Sequence, residues 1–462
     1  MNIDTAAFGA RRGFLTASTL ILIAFATAFF PRILDAAGAP SPINFVHFAI
    51  VPLVAASILL KTRAHNQKQI AIATELLLGL VILFTIIIVS ALLNEAALIN
   101  ALLDFLLLAE VFILLLAIVC VPVSITTFGN FRSWILKFFL IHLLLALTQK
   151  ALLTAGILPA PVMTLEDNIQ GVFYLSGGGH VVAASVSTFA GLYYLISART
   201  VSIWLRISVF SATFLQLLFA DAKQVLFVAL VAWVLLILSR IKNIKATLQY
   251  IIAAGLVGYG LLWCMQNLEI FSSYNTWIRP EIYGPNGDAT LLKSAPLQII
   301  PSYFTSFFNW IFGLGPGHTI GRLGGWMIRD YSRLLGPFGA TSHPVSQAVW
   351  DTWNGHYLDS SFFSPFWGFA GIWGDLGFAG LAAYLYLWSI VWRRLCPNDF
   401  SRFIVLNVLL NGFIFTLLEE PGFMLSVAVL IGLSWQERQL VEQRQHQRRY
   451  EMTLLARQAE LN

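Results

Sequence analysis

Twelve apolar runs, each close to the length that crosses hydrocarbon, limit this chain's folding options more than any other feature. A spanning helix needs about 20 apolar residues, with a range of roughly 17–25. Candidates lie near 13–30, 44–60, 69–93, 96–121, 134–149, 181–198, 204–220, 224–239, 248–265, 366–392, 403–418 and 422–435. In lipid the backbone must satisfy its own hydrogen bonds, and runs of this length do so as α-helices. The expected fold is therefore all-α: a polytopic membrane helical bundle of about 12 transmembrane helices, with one large extracytoplasmic loop before the last three. A chain that is 58% hydrophobic and 11% charged, with mean hydropathy +0.76, has the composition such a bundle requires. The sequence pI of 9.1 raises the question of nucleic acid. The basic residues are scattered at helix ends rather than gathered on one face, so no nucleic-acid partner is expected.

The first run follows Arg11-Arg12 and can be read as a signal peptide. It is long enough to span, has no clear small-x-small cleavage site and is followed by further spans, so it is read as a membrane helix. Cys120, Cys264 and Cys396 are too far apart for a disulfide framework or a zinc site and read as apolar packing residues.

Lys and Arg set the orientation. With both termini cytoplasmic, the cytoplasmic side collects 20 of the 28 basic residues, including Arg11, Arg12, Lys61, Lys68, Arg132, Arg240, Arg393 and Arg394. The opposite side keeps Arg32, Lys150, Lys223 and five in the long polar stretch. The expected domains are an N-terminal bundle over 1–265, an extracytoplasmic loop with interfacial helices over 266–365, three C-terminal spans over 366–435 and a polar cytoplasmic tail over 436–462. The tail, rich in Gln, Arg and Glu, reads as a solvated helix.

The polar stretch holds the candidate chemistry. Its glycine run, Gly313-Leu-Gly315-Pro-Gly317-His318-Thr-Ile-Gly321-Arg322, frees the backbone to approach a ligand closely. Successive amides in such a run can form an anion-binding concavity, and Arg322 can fork onto phosphate oxygens. The alternative is a turn between two interfacial helices. A nucleotide site has no βαβ context. His318, His343 and His356 are the candidates for proton transfer near neutral pH, beside Arg322, Arg329, Arg333, Asp351 and Asp359; each histidine has a structural alternative. Their spacing suits no metal. The aromatic piece from Pro296 to Phe312 reads as an amphipathic segment at the outer interface. Asp221-Ala-Lys223 is either an ion-paired hairpin tip or a cation offered to an anionic headgroup. Glu75, Asp104, Glu110 and His142 fall inside apolar runs, where an ionisable group is costly and a functional candidate by default; the sequence names no partner for them.

Three features together resemble the O-antigen polymerase and O-antigen ligase superfamily. They are the Gly313–Gly317 turn after Trp310-Ile-Phe-Gly, the Asp359-Ser-Ser segment leading to Asp375-Leu-Gly-Phe-Ala-Gly, and Asp221-Ala-Lys223 at the outer end of a span, where the family commonly has Ser-Arg. The likeness covers the topology of most of the chain and only these motifs in residues. Lys223 stands where arginine is usual and offers a point charge rather than a fork. The resemblance implies a cytoplasmic (inner) membrane glycosyltransferase without cofactor or metal. Such an enzyme polymerises polyprenyl-pyrophosphate-linked repeat units on the outer face, or, as a ligase, moves the glycan to another acceptor. Lys223, Arg322, Arg329 and Arg333, with Gly315 and Gly317, then hold the donor. His318, His343 or His356 acts as base, oriented by Asp351 or Asp359. Expected partners are the lipid-linked glycan, membrane lipid, and flippase and chain-length regulator proteins of the same pathway. Rival readings are a transporter or flippase, which the charges inside the spans favour, and a glycan-binding receptor or scaffold.

Overall fold

The computed structural model describes residues 16–61, 67–121, 124–161, 164–176, 178–240, 244–269, 271, 280–352 and 364–461. His356 and Asp359 lie outside the described residues. The architecture is all-helical, with no strand among the described residues.

The bundle helices are α1 (Ala17–Phe29), α2 (Val46–Lys61), α3 (Gln67–Leu93), α4 (Leu98–Cys120), α5 (Ile125–Thr154), α6 (Gly179–Ser197), α7 (Ile203–Phe219), α8 (Lys223–Leu238) and α9 (Ile244–Asn267). Three more follow the polar stretch. The polar stretch carries α10 (Asp288–Ser302), α11 (Phe307–Phe312) and α12 (Pro344–Thr352), and the three helices after it are α13 (Gly368–Ile390), α14 (Asp399–Asn411) and α15 (Pro421–Leu461). Each of the twelve apolar runs overlaps one of these helices. Among the described residues, seven helices are long and apolar enough to cross a membrane, and α1, α7 and α8 are shorter apolar helices. Their outward faces carry exposed Leu, Ile, Phe and Trp, from Leu53 and Leu78 to Leu256 and Trp263. Lipid tolerates such a surface and water does not.

Helix α4 is the axis. It is buried on nearly every side and packs against α2, α3 and the first half of α15. A helix apolar all round belongs in such a position, and here three polar residues interrupt it: Asn100, Asp104 and Glu110. The first half of α15 is equally buried through Trp435, and its second half is an exposed, charged rod. Ion pairs gather the chain at that end of the bundle. Lys68 meets Glu442 at 3.2 Å, Arg132 meets Glu437 at 3.7 Å, and Arg394 pairs with Glu75. Glu75 thus belongs to a charged rim rather than to a pathway through the bundle.

The polar stretch folds back onto the opposite end. The aromatic piece from Pro296 to Phe312 is two short helices, not one segment. Helix α10 ends at Ser302, and α11 restarts at a capping box between Ser306 and Asn309, with Phe307 and Phe308 turned outward. One turn of π-helix, Leu323–Met327, then enters the bundle, so that Leu323 and Met327 pack on Phe48, Leu103 and Leu107.

Candidate functional site

The glycine run is held by a break in α13. Gly377 has φ 65° and ψ −164°, a conformation reserved for glycine. Gly313 takes nearly the same one, with φ 73° and ψ −159°. The two backbones cross there so closely that a Cβ on either would overlap the other chain. The carbonyls of Gly374 and Asp375, beside the break, accept from the amides of Leu314 (2.8 Å) and Gly315 (3.1 Å). Broken helices in membranes survive when neighbours satisfy the freed backbone groups in this way.

The run does form an anion-binding concavity, and the anion is the chain's own. The Asp375 carboxylate accepts from Gly317 N–H at 3.0 Å and Thr319 N–H at 2.6 Å. The amides of Gly315 and Gly317 that were expected to meet a ligand phosphate are therefore engaged internally. Glu419 repeats the device three residues on: its carboxylate accepts from Arg322 N–H at 2.5 Å. Burial, reinforced by the nearby Asp375 charge, pushes the Glu419 carboxyl up to about 8, against the pull of the Arg322 amide and guanidinium.

Beyond this seam lies a cavity of about 40 Å³ between the π-turn and the bundle. It is large enough for about three water molecules. Its polar wall comprises Arg32, Asn44, His47, Arg322, Tyr331 and Glu420, and Phe45, Phe48, Trp326 and Met327 are among its apolar lining. The Arg322 guanidinium pairs with Glu420 and lies 5.5 Å from the Trp326 ring centre. Arg32, from the short helix Pro31–Ala36, reaches Tyr331 Oη at 3.5 Å. His47 Nδ1 is 2.8 and 2.9 Å from the two oxygens of Glu110 on α4. The Asn44 Oδ1 atom is buried at this wall and has no hydrogen-bond partner among the described residues. Two arginines from distant parts of the sequence thus share one recess, part polar and part apolar, with a histidine backed by a glutamate.

The other sequence candidates are placed differently. His318 is buried, and both its nitrogens are engaged. Nδ1 lies 2.8 Å from the Leu314 carbonyl, which can only accept, so Nδ1 carries the proton and Nε2 accepts from Thr341 Oγ1 at 2.8 Å. Thr341 and Asn100 are in turn joined by two hydrogen bonds. His318 is thereby a strut between the glycine run and α4, and burial pulls its pKa down. The His343 ring lies against His318 at 5.7 Å and Tyr303 at 5.5 Å, and its Nδ1 accepts from Val345 N–H. Burial, with the neighbouring His318, lowers its pKa too. Neither ring lines the cavity. Asp351 accepts from Gln347 on the exposed face of α12. Arg329 stacks on Trp350 at 4.0 Å and pairs with Asp330, and Arg333 is exposed on the next turn. Lys223 pairs with Asp221 at 2.8 Å on the tight α7–α8 turn, where Asp221 has φ 47°. Of the donor-binding residues expected from sequence, Arg322 alone lines the cavity. Among the described residues, no three His, Cys, Asp or Glu side chains gather as a metal site would require.

No family model matches this chain, and no curated protein matches its sequence.

No sequence signal joins Arg32, His47, Glu110 and Glu420 into one site. Glu110 did carry a signal, as an acid inside a span. His47 lies 63 residues from Glu110, and nothing in the spacing joins them.

Proposed function

We propose that this protein is a polytopic glycosyltransferase of the cytoplasmic membrane, with about twelve spans and both termini cytoplasmic. It polymerises polyprenyl-pyrophosphate-linked repeat units on the outer face. The observation that carries this reading is the convergence of Arg32 and Arg322 on one recess where the loop enters the bundle. Arginine forks suit phosphate oxygens, and the aromatic and aliphatic walls suit a lipid-borne substrate. The donor brings its own leaving group, whose growing negative charge two preorganised guanidinium groups stabilise. Two of the sequence features that resemble the O-antigen polymerase and ligase superfamily, the Gly313–Gly317 turn and the Asp375-Leu-Gly segment, are hydrogen-bonded to each other. This mutual support favours the same reading. Ligase-type transfer to another acceptor uses the same recess. The twenty cytoplasmic-side cations support the orientation, with flippase and chain-length regulator proteins as pathway partners.

The test uses purified protein in nanodiscs, supplied with the polyprenyl-pyrophosphate glycans extracted from its native host's membranes. A ladder of longer lipid-linked products is expected; a single transfer to a different acceptor identifies a ligase. Arg322→Ala and Arg32→Ala are each expected to lower kcat/KM on the order of 10²-fold, the scale of losing one charge-stabilising donor. Full activity in both variants sinks the reading. So does wild-type protein that leaves the glycan unelongated and moves it across the bilayer.

A further inference from the structure

We infer that His47 is the catalytic base of this recess and that Glu110 positions it. The inference rests on the transferase reading above and names the group that reading leaves open.

The other titratable groups around the recess are already committed. The carboxylates of Asp375 and Glu419 hold loop amides, and Glu420 holds the Arg322 guanidinium. His318 has both nitrogens engaged, and His343 lies outside the cavity. His47 differs in kind. It is the second residue of α2 and only 3% exposed, yet it forms part of the cavity wall, with Glu110 behind it rather than in the lining. In the proposed tautomer the ring donates Nδ1–H to Glu110. Nε2 carries the lone pair and has no hydrogen-bond partner among the described residues. A carboxylate that fixes the tautomer and orientation of an imidazole, with the other nitrogen turned to the reactants, is the arrangement general-base catalysis calls for. Phe48 packs against the ring at 4.1 Å and holds its plane.

The placement suits the chemistry on both sides of the reacting carbon. The charged or titratable groups facing the recess are Arg32 from the Pro31–Ala36 helix, Arg322 from the loop, Glu420 just before α15, Tyr331 and His47, with Glu110 behind it. In the step, the acceptor sugar's hydroxyl gives its proton to His47 Nε2 as its oxygen bonds to the anomeric carbon of the donor. The bond from that carbon to the pyrophosphate oxygen breaks, and its electron pair leaves with the polyprenyl pyrophosphate, whose charge Arg32 and Arg322 offset. Glu110 stabilises the imidazolium until its proton passes to water. At its present size the cavity accepts a hydroxyl but not a sugar ring, so Trp326, Met327 and Tyr331 on the loop side are the walls an acceptor must displace.

The experiment measures glycan transfer in nanodiscs against pH for wild type, His47→Gln and Glu110→Gln, with polyprenyl pyrophosphate binding and thermal unfolding measured in parallel. His47→Gln is expected to lower kcat by at least about 100-fold, to abolish the acid limb of the pH profile, and to leave polyprenyl pyrophosphate binding within about threefold of wild type on the same scale of effects. Glu110→Gln is expected to lower kcat by about 10- to 100-fold and to move that limb with little change in KM. If wild type transfers glycan and His47→Gln keeps both rate and acid limb, the dyad is overturned and the transferase reading stands. Loss of binding with kcat unchanged, or a basic limb that depends on His47, makes it a phosphate-binding cation and also overturns the inference. Wild-type protein that transfers nothing overturns both.

Discussion

The crossing of Gly313 and Gly377 lends itself to a sharp test, Gly377→Ala. A continuous α13 would welcome alanine, since alanine is the better helix former by about 0.5–1 kcal/mol. The structure demands the opposite. At φ 65° and ψ −164° a non-glycine residue costs about 1–3 kcal/mol in backbone strain alone. The new Cβ would also overlap the backbone of Ile311 and Phe312, which cannot swing aside as a side-chain tip can. Separating the two strands of backbone breaks the bonds from Leu314 to Gly374 and from Gly315 to Asp375, each leaving buried groups that cost about 1–3 kcal/mol. The total is about 3–9 kcal/mol, and even the lower end changes the folded-to-unfolded ratio by roughly a hundredfold. Unfolding in a mixed detergent–SDS titration, followed by tryptophan fluorescence, measures it. Gly258→Ala is the control: it sits in α9 with nothing within 4 Å of a Cβ and is expected to be neutral or slightly stabilising. Hydrogen exchange over residues 313–322 should rise in Gly377→Ala alone. If the Gly377→Ala curve overlays wild type, or moves no more than that of Gly258→Ala, the crossing does not hold the loop.

Two pH predictions of opposite sign follow from charged groups withdrawn from water outside the spans, Lys293 partly buried and Glu419 buried. Lys293 on α10 donates to the Ile414 carbonyl at 2.7 Å, and burial pulls its ammonium down to about 7 from its ordinary 10.5. Between those values the unfolded chain holds the extra proton, so this residue makes stability rise with pH; Lys293→Met should flatten that rise in melting curves taken at pH 7, 8.5 and 10, and an unchanged slope refutes it. Glu419, moved from 4.5 up to about 8, keeps its proton in the folded protein while the unfolded chain has lost it. It makes stability fall as pH rises through that window, and Glu419→Gln, which retains an acceptor for the Arg322 amide, should remove the fall. A Gln variant as pH-sensitive as wild type between pH 5 and 8 assigns the effect elsewhere.

The helices were legible because lipid permits few alternatives, and their ends were legible only where polarity changes with them. The run at 69–93 matches Gln67–Leu93, and 96–121 matches Leu98–Cys120. The run at 134–149 undershoots Ile125–Thr154, because Thr126, Asn130 and Arg132 dilute its hydropathy while the backbone continues to coil. The run at 403–418 overshoots: α14 stops at Asn411 with Gly412 as its C-cap, although the composition stays apolar. In the site, the conformational freedom of Gly313, Gly315 and Gly317 was readable and what meets their amides was not. The carboxylate sits 58 residues from Gly317, a separation that carries no local signal. In sequence the histidines near the glycines read as proton carriers, yet His318 is a strut. His47, isolated among apolar residues, lines the recess.

Asp375 and Glu419 explain how a polar loop can be fixed to an apolar bundle at all. Docking a glycine-rich turn into a largely buried seam strands amide groups that water would otherwise satisfy, at about 1–3 kcal/mol each. Neutral side chains could meet them singly. A carboxylate meets two at once, through shorter and stronger bonds, as Asp375 does for Gly317 and Thr319. The cost is the desolvation of the charged form, and at Glu419 that cost shows as an affinity for the proton far above the ordinary carboxylate range. Arg322 then belongs to two systems: its amide binds Glu419 and its guanidinium binds Glu420. On the proposed reading, an incoming phosphate would compete for the guanidinium and leave the amide anchor untouched. The proposed recess could thus exchange Glu420 for a ligand without undocking the loop that forms its wall.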